Sequence, residues 1–212
     1  MGGGSGDSID RLTGEALRLH DRYLEEVVLA FELCPWAEKV IRQGRFQRAV
    51  IAGAAPEATA IAPLVDALEA RVPEPDDIGF AIFPELALPA AAFDRFTERM
   101  RQADRARRPA VVPAPFLLAA FHPFGPDEFQ DPHPLVPLLR RSPDPTVQLV
   151  RAARLDQARA GGADVSEAVA RQNFDTVAAR GAGALRATLD DIRRDRDATY
   201  RRLGLRLGLE TR

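Results

Sequence analysis

From Ser8 onward, apolar residues recur at helical spacing (Leu17, Leu24, Val27, Val28, Phe31). The pattern predicts a helix ending near Cys34, because Pro35 disfavours helical backbone in its predecessor. Phe46 to Ala52 reads as a strand closed by Gly53. Pro56 to Val72 carries Ile61, Leu64, Val65 and Leu68 on one helical stripe, with the regular part starting only at Pro63, since proline is tolerated in a first turn. Ile78 to Phe83 is a short apolar run between Pro/Asp and Pro signals, hence a buried strand. Ala90 to Arg105 is helical through Phe93, Phe96 and Met100, and Phe116 to Phe121 is a further strand ending at His122-Pro123.

This alternation predicts an α/β (or α+β) fold: a small, mainly parallel sheet of three or four strands with packed helices and a helical C-terminal region. Any parallel pair joined through a helix would have a right-handed crossover. Residues 123–145 have no period and hold seven prolines, which marks a functional or packed surface loop. Asp144-Pro145-Thr146 looks like a capped helix start, with the helix running to about Ala160 before Gly161-Gly162. A helix capped by Asp164 or Ser166 follows, through Ala179, and Leu185 to Leu203 continues helically after Gly181 to Gly183. The organisation expected is a flexible tail at 1–7 and a single α/β domain at 8–212, with C-terminal helices over 164–203.

Composition adds exclusions. The chain is 46% apolar and 28% charged with a net charge of −2, the balance of a folded rather than a disordered chain. No apolar run approaches the ~18 residues a membrane helix needs, and the N-terminus lacks an apolar signal core, so a cytoplasmic location with no membrane partner is expected. The C-terminal arginines alternate with Asp190, Asp191, Asp195 and Asp197, a solvated mixed-charge face rather than a nucleic-acid stripe. Lys39 is the only lysine and follows Ala37-Glu38, so there is no Walker loop, and a pyridoxal enzyme is disfavoured. Neither a dinucleotide-binding Gly-x-Gly-x-x-Gly after a strand nor a Gly-x-Ser-x-Gly elbow is present.

Candidate chemistry centres on Cys34, the only cysteine, which leaves no internal disulfide. A lone cysteine on an apolar helix is most often a small core hydrophobe; the functional readings are a thiolate nucleophile, which a helix C-terminus disfavours, and a metal or haem-iron ligand beside Pro35. His122 sits where a strand gives way to the long loop, a position suited to an acid/base or ligand role. His133 lies in the loop, and with His122, Asp127, Glu128 and Asp131 it makes a loose divalent-metal set. His20, among charged neighbours, reads as solvated. Arg140, Arg141, Arg151 and Arg154 around a helix start would make an anion site, unless Asp144 fills the amide pocket as a cap or the arginines pair with acids.

Three ordered motifs then combine: Leu33-Cys34-Pro35-Trp36-Ala37, Phe121-His122-Pro123, and Arg141-Ser142-Pro143-Asp144-Pro145 leading to Leu149-Val150-Arg151, with Arg171-Gln172-Asn173 further on. Over roughly residues 16–190 they resemble the bacterial family known as domain of unknown function 1415. Asp144 stands where an aromatic is usual in that family, and Gln148 where a histidine is common. The resemblance implies that Cys34, His122, Arg141, Ser142, Arg151 and Asn173 gather, and supplies no reaction.

Three functions compete on these grounds. The first is a small-molecule enzyme acting on an anionic metabolite, with Cys34 and His122 catalytic and Arg141, Ser142, Arg151 and Asn173 holding the substrate or cofactor. The second is a haem or divalent-metal redox protein, with Cys34, His122 or His133 as ligands. The third is a noncatalytic interaction domain.

Overall fold

The computed structural model describes residues 4–34, 37–71, 78–125, 138–153 and 165–205. Helix α1 spans Gly4–Tyr23, so it starts inside the stretch expected to be a tail. Leu12, Ala16, Leu19 and Tyr23 bury one stripe of it, spaced as an amphipathic helix requires. The helix continues through a π-helical segment, Leu24–Leu29, with the wide spacing carried on by Ala30 N–H to Glu25 O at 3.1 Å and Leu33 N–H to Val28 O at 2.9 Å. Glu32, at φ 51°, turns the chain out of it. Arg180 holds this corner by donating to the Ala30 carbonyl and the Glu32 carboxylate.

The remaining elements are α2 (Ala37–Arg42), β1 (Phe46–Val50), α3 (Ala62–Glu69), β2 (Ile78–Ile82), α4 (Ala90–Ala106), β3 (Phe116–Phe121), β4 (Thr146–Arg151), α5 (Val165–Arg180) and α6 (Ala182–Arg202). The α/β class and a four-stranded sheet stand. Its order is β1-β2-β4-β3, with β1 and β2 parallel and β4 antiparallel to both its neighbours, so the sheet is mostly antiparallel where a mainly parallel one was expected.

The difference is β4. The segment read as a capped helix from Thr146 is a central strand, with Val147 and Leu149 fully buried. Thr146, Val147 and Val150 favour extended backbone, and Pro143 and Pro145 bias the residues before them toward it too. The Pro145 carbonyl already joins the sheet, accepting from Phe83 N–H at 2.9 Å. Local start signals lost to burial on both faces.

Two cores flank the sheet. On one face Phe46, Ile78, Phe80 and Phe121 meet α1, the π-helical segment, α2 and α6. On the other, Ala81, Phe83, Phe116, Leu118, Val147 and Leu149 meet α3 and α4. Gly79 permits the close approach of α3, because a Cβ there would come within 2.7 Å of Leu68 Cδ1. No described helix is long and apolar enough to cross a membrane.

Candidate functional site

Residues alternate across the sheet, and that alternation decides which predicted site residues meet. Phe121 packs on the α1 face, so His122, one residue on, turns to the α4 face. There its ring lies 5.9 Å from that of Phe93. Nε2 is 2.8 Å from the Leu88 carbonyl, and Nδ1 accepts from Phe124 N–H at 3.1 Å. These two bonds fix a neutral ring protonated on Nε2. Burial holds its pKa below the ordinary histidine value, outweighing the two backbone bonds. The ring orders the chain leaving β3.

Cys34 belongs to the opposite face. It follows Leu33 of the α1-side core, and its carbonyl accepts from Ala37 N–H at 3.1 Å as α2 begins. Sulfur and imidazole are therefore not brought together, and cannot share a metal ion or pass a proton directly. His133 lies outside the described residues, as do Asp127, Glu128 and Asp131. Among the described residues no group of three His, Cys, Asp or Glu side chains is arranged to hold a metal.

The arginine motif is also dispersed. Arg141 Nε donates to the Gly125 carbonyl at 3.0 Å, binding the loop it leaves. Ser142 Oγ donates to the Asp144 carbonyl at 2.5 Å and is buried. The space between these residues and α6 is about 10 Å3, room for one water. Arg151 sits on the α4 face, its guanidinium 5.0 Å from the centre of the Phe116 ring and donating to the Leu68 carbonyl at 2.9 Å, in the last turn of α3. With residues 146–151 in a strand, the helix amides of the expected anion site do not exist there. Asp144, the expected cap, is instead buried against α6. His20, expected in solvent, is 1% exposed with its ring centre 4.7 Å from that of Phe80, and its Nδ1 has no hydrogen-bond partner among the described residues.

What the fold does create is a cavity of about 740 Å3 on the α1 side of the sheet, lined also by Phe46 of β1 and Ile78 and Phe80 of β2. Leu117, Ala119 and Phe121 of β3 and Gln148 and Val150 of β4 form its floor. Tyr23, Leu24, Val28 and Leu33 wall it on one side, and Val40 and Ile41 of α2 on another. Val169, Ala170 and Asn173 of α5 close a third. Cys34 and Asn173 both line this cavity, while His122, Arg141, Ser142 and Arg151 do not. The lining is mostly apolar, with a few polar groups at its margins, the usual make-up of a small-molecule site.

Arg140 lines the cavity with its guanidinium 5.6 Å from the centre of the Phe121 ring. Tyr23 donates its hydroxyl to the Leu139 carbonyl at 2.6 Å, and burial pushes its pKa upward, so the phenol stays protonated and offers no base to Cys34. The cavity then passes the edge of β3 to Asp94, Thr97 and Arg101 of α4. Arg140 is the first half of the Arg140-Arg141 pair: it lines the cavity, whereas Arg141 is turned to the Gly125 carbonyl. Thr97 and Asp94 carry no sequence signal beyond their place on a helix.

A model of the family described as protein of unknown function (DUF1415) matches residues 15–187. No curated protein and no solved structure matches the chain.

Proposed function

Because the chain belongs to the DUF1415 family, whose description carries no activity, we propose its function from the cavity: it binds a largely apolar small molecule bearing one anionic group. The observation that carries this reading is a chamber of about 740 Å3 whose mostly apolar lining is bordered, among the described residues, by Arg140 on its α1 side. That volume lies within the roughly 300–1,000 Å3 usual for small-molecule sites. Burial of the apolar body supplies most of the affinity, and Arg140 fixes the orientation by taking the anion in its planar fork. Asn173 and Gln148 offer amide donors and acceptors to the part of the ligand nearest the sheet floor.

Cys34 lies in the wall of this chamber. Chemistry through a Cys34–His122 pair is not part of this reading, because the imidazole is committed to Leu88 and Phe124 on the other face. Calorimetric titration of the full chain with decanoate tests the binding, with Arg140→Gln as the comparison. Saturable binding is expected, weakened about tenfold in the variant, which corresponds to ~1.4 kcal/mol. No binding at millimolar decanoate, or equal affinity in the variant, would contradict it.

A further inference from the structure

Two amide side chains line the cavity without a bond of their own. Gln148 stands half-buried in its floor, on the inner strand β4. Asn173, on α5, is 7% exposed. Neither side chain makes a hydrogen bond among the described residues. Both amide atoms of Asn173 nonetheless remain reachable by water, so the surface it keeps opens on the chamber it lines. Arg140 likewise makes no hydrogen bond or ion pair among the described residues, and rests on the Phe121 ring.

An unbroken alkyl chain filling the chamber would cover the two amides and leave both unsatisfied, which is costly. A ligand that fits carries polar atoms along its body as well as an anion at its end. The sheet register places them. Gln148 pairs with Ala119, and Phe121 lies two residues further along β3 on the same face. Such diagonal neighbours stand about 7–8 Å apart, and the Arg140 guanidinium is 5.6 Å from the centre of the Phe121 ring. The polar group therefore falls a few bonds from the anion, not at the far end of the chain. A trans secondary amide suits this position, because its N–H and C=O point in opposite directions and take partners from different walls. Gln148 comes from the sheet and Asn173 from α5, and each offers both a donor and an acceptor. A single hydroxyl oxygen would have to reach both walls by itself.

Resting on the cavity reading above, we infer that the ligand is of the N-acyl amino acid class. Its carboxylate meets Arg140, its amide bonds to Gln148 and Asn173, and its acyl chain runs along Val28, Leu33, Val40 and Ile41.

The test compares decanoate with N-heptanoylglycine, whose main chain has the same number of atoms, by calorimetry on the full-length wild-type, Gln148→Met and Asn173→Leu proteins. In a purely apolar chamber, replacing two buried methylenes by an amide weakens binding roughly tenfold. The wild type should instead prefer the acylglycine at least threefold. Each variant keeps the side-chain volume and removes the amide; each should cut that preference at least fivefold and bind decanoate more tightly, with circular dichroism reporting that it folds. Equal affinity or a preference for decanoate in the wild type, or a preference for the acylglycine that survives either substitution in a folded variant, would overturn the amide assignment and leave the cavity reading standing. Failure of both acids to bind would remove the cavity reading itself, and the assignment with it.

Discussion

Arg196 donates from Nε to Asp144 Oδ1 at 2.7 Å in the protein interior, where the two side chains are 3% and 0% exposed. Tyr200 adds its hydroxyl to Oδ2 at 2.6 Å, so both carboxylate oxygens are held by α6. The Asp144 carbonyl meanwhile accepts from Ser142 and from Thr146, the latter at 2.9 Å. This residue clamps the approach to β4 against the C-terminal helix, and thereby sets where Leu139 and Arg140 reach the cavity.

Removing one partner of a buried pair strands the other charge, at a cost of roughly 3–5 kcal/mol. Asp144→Ala should lose about that much in urea unfolding, while the double variant Asp144→Leu with Arg196→Met should recover most of it. A single variant within about 1 kcal/mol of wild type would show that the pair does not tie α6 to the sheet.

Two buried histidines make stability depend on pH. Burial first, and the Arg48 charge second, push His20 down to about 3, and burial also lowers His122. Both folded values lie below that of an unfolded histidine, about 6.5, so the unfolded chain takes up protons first as the pH falls. The stability they contribute is present above that pH and is lost below it, at up to about 1.4 kcal/mol per pH unit for each. Between pH 6.5 and 5, above the range where carboxylates titrate, the unfolding free energy should decline, and less steeply in His20→Leu. An unchanged slope in that variant would contradict the assignment of His20 as a buried neutral ring.

Gly79 tests the packing of α3. A methyl group there would meet Leu68 Cδ1 at 2.7 Å, and Leu68 is fully buried. Gly79→Ala should cost ~1–3 kcal/mol, the range for overpacking a tight core. Gly79→Ala combined with Leu68→Ala should cost less than the sum of the two single changes, read from the same denaturation curves.

Much of the fold was legible in the sequence. The apolar stripes of α1, α3 and α4 and the runs at Ile78 and Phe116 matched their elements because each period is dictated by one local face meeting one core. β4 was misread because Asp-Pro-Thr signals a helix start locally, whereas Val147 and Leu149 are claimed by a sheet assembled from distant segments. The site followed the same division. Cys34 and Asn173 do share a chamber, but whether His122 or Arg151 joins them depends on strand parity, and Arg151 changed its role once β4 became a strand.

The cavity is most directly tested at Cys34, the single cysteine of the chain and a residue of its wall. The rate of Cys34 alkylation by iodoacetamide would be followed at constant pH while decanoate is raised to saturation. The account predicts a saturable slowing whose midpoint matches the calorimetric affinity and moves to about tenfold higher concentration in Arg140→Gln. A rate indifferent to decanoate, in a protein that binds it, would place the ligand elsewhere and contradict the account.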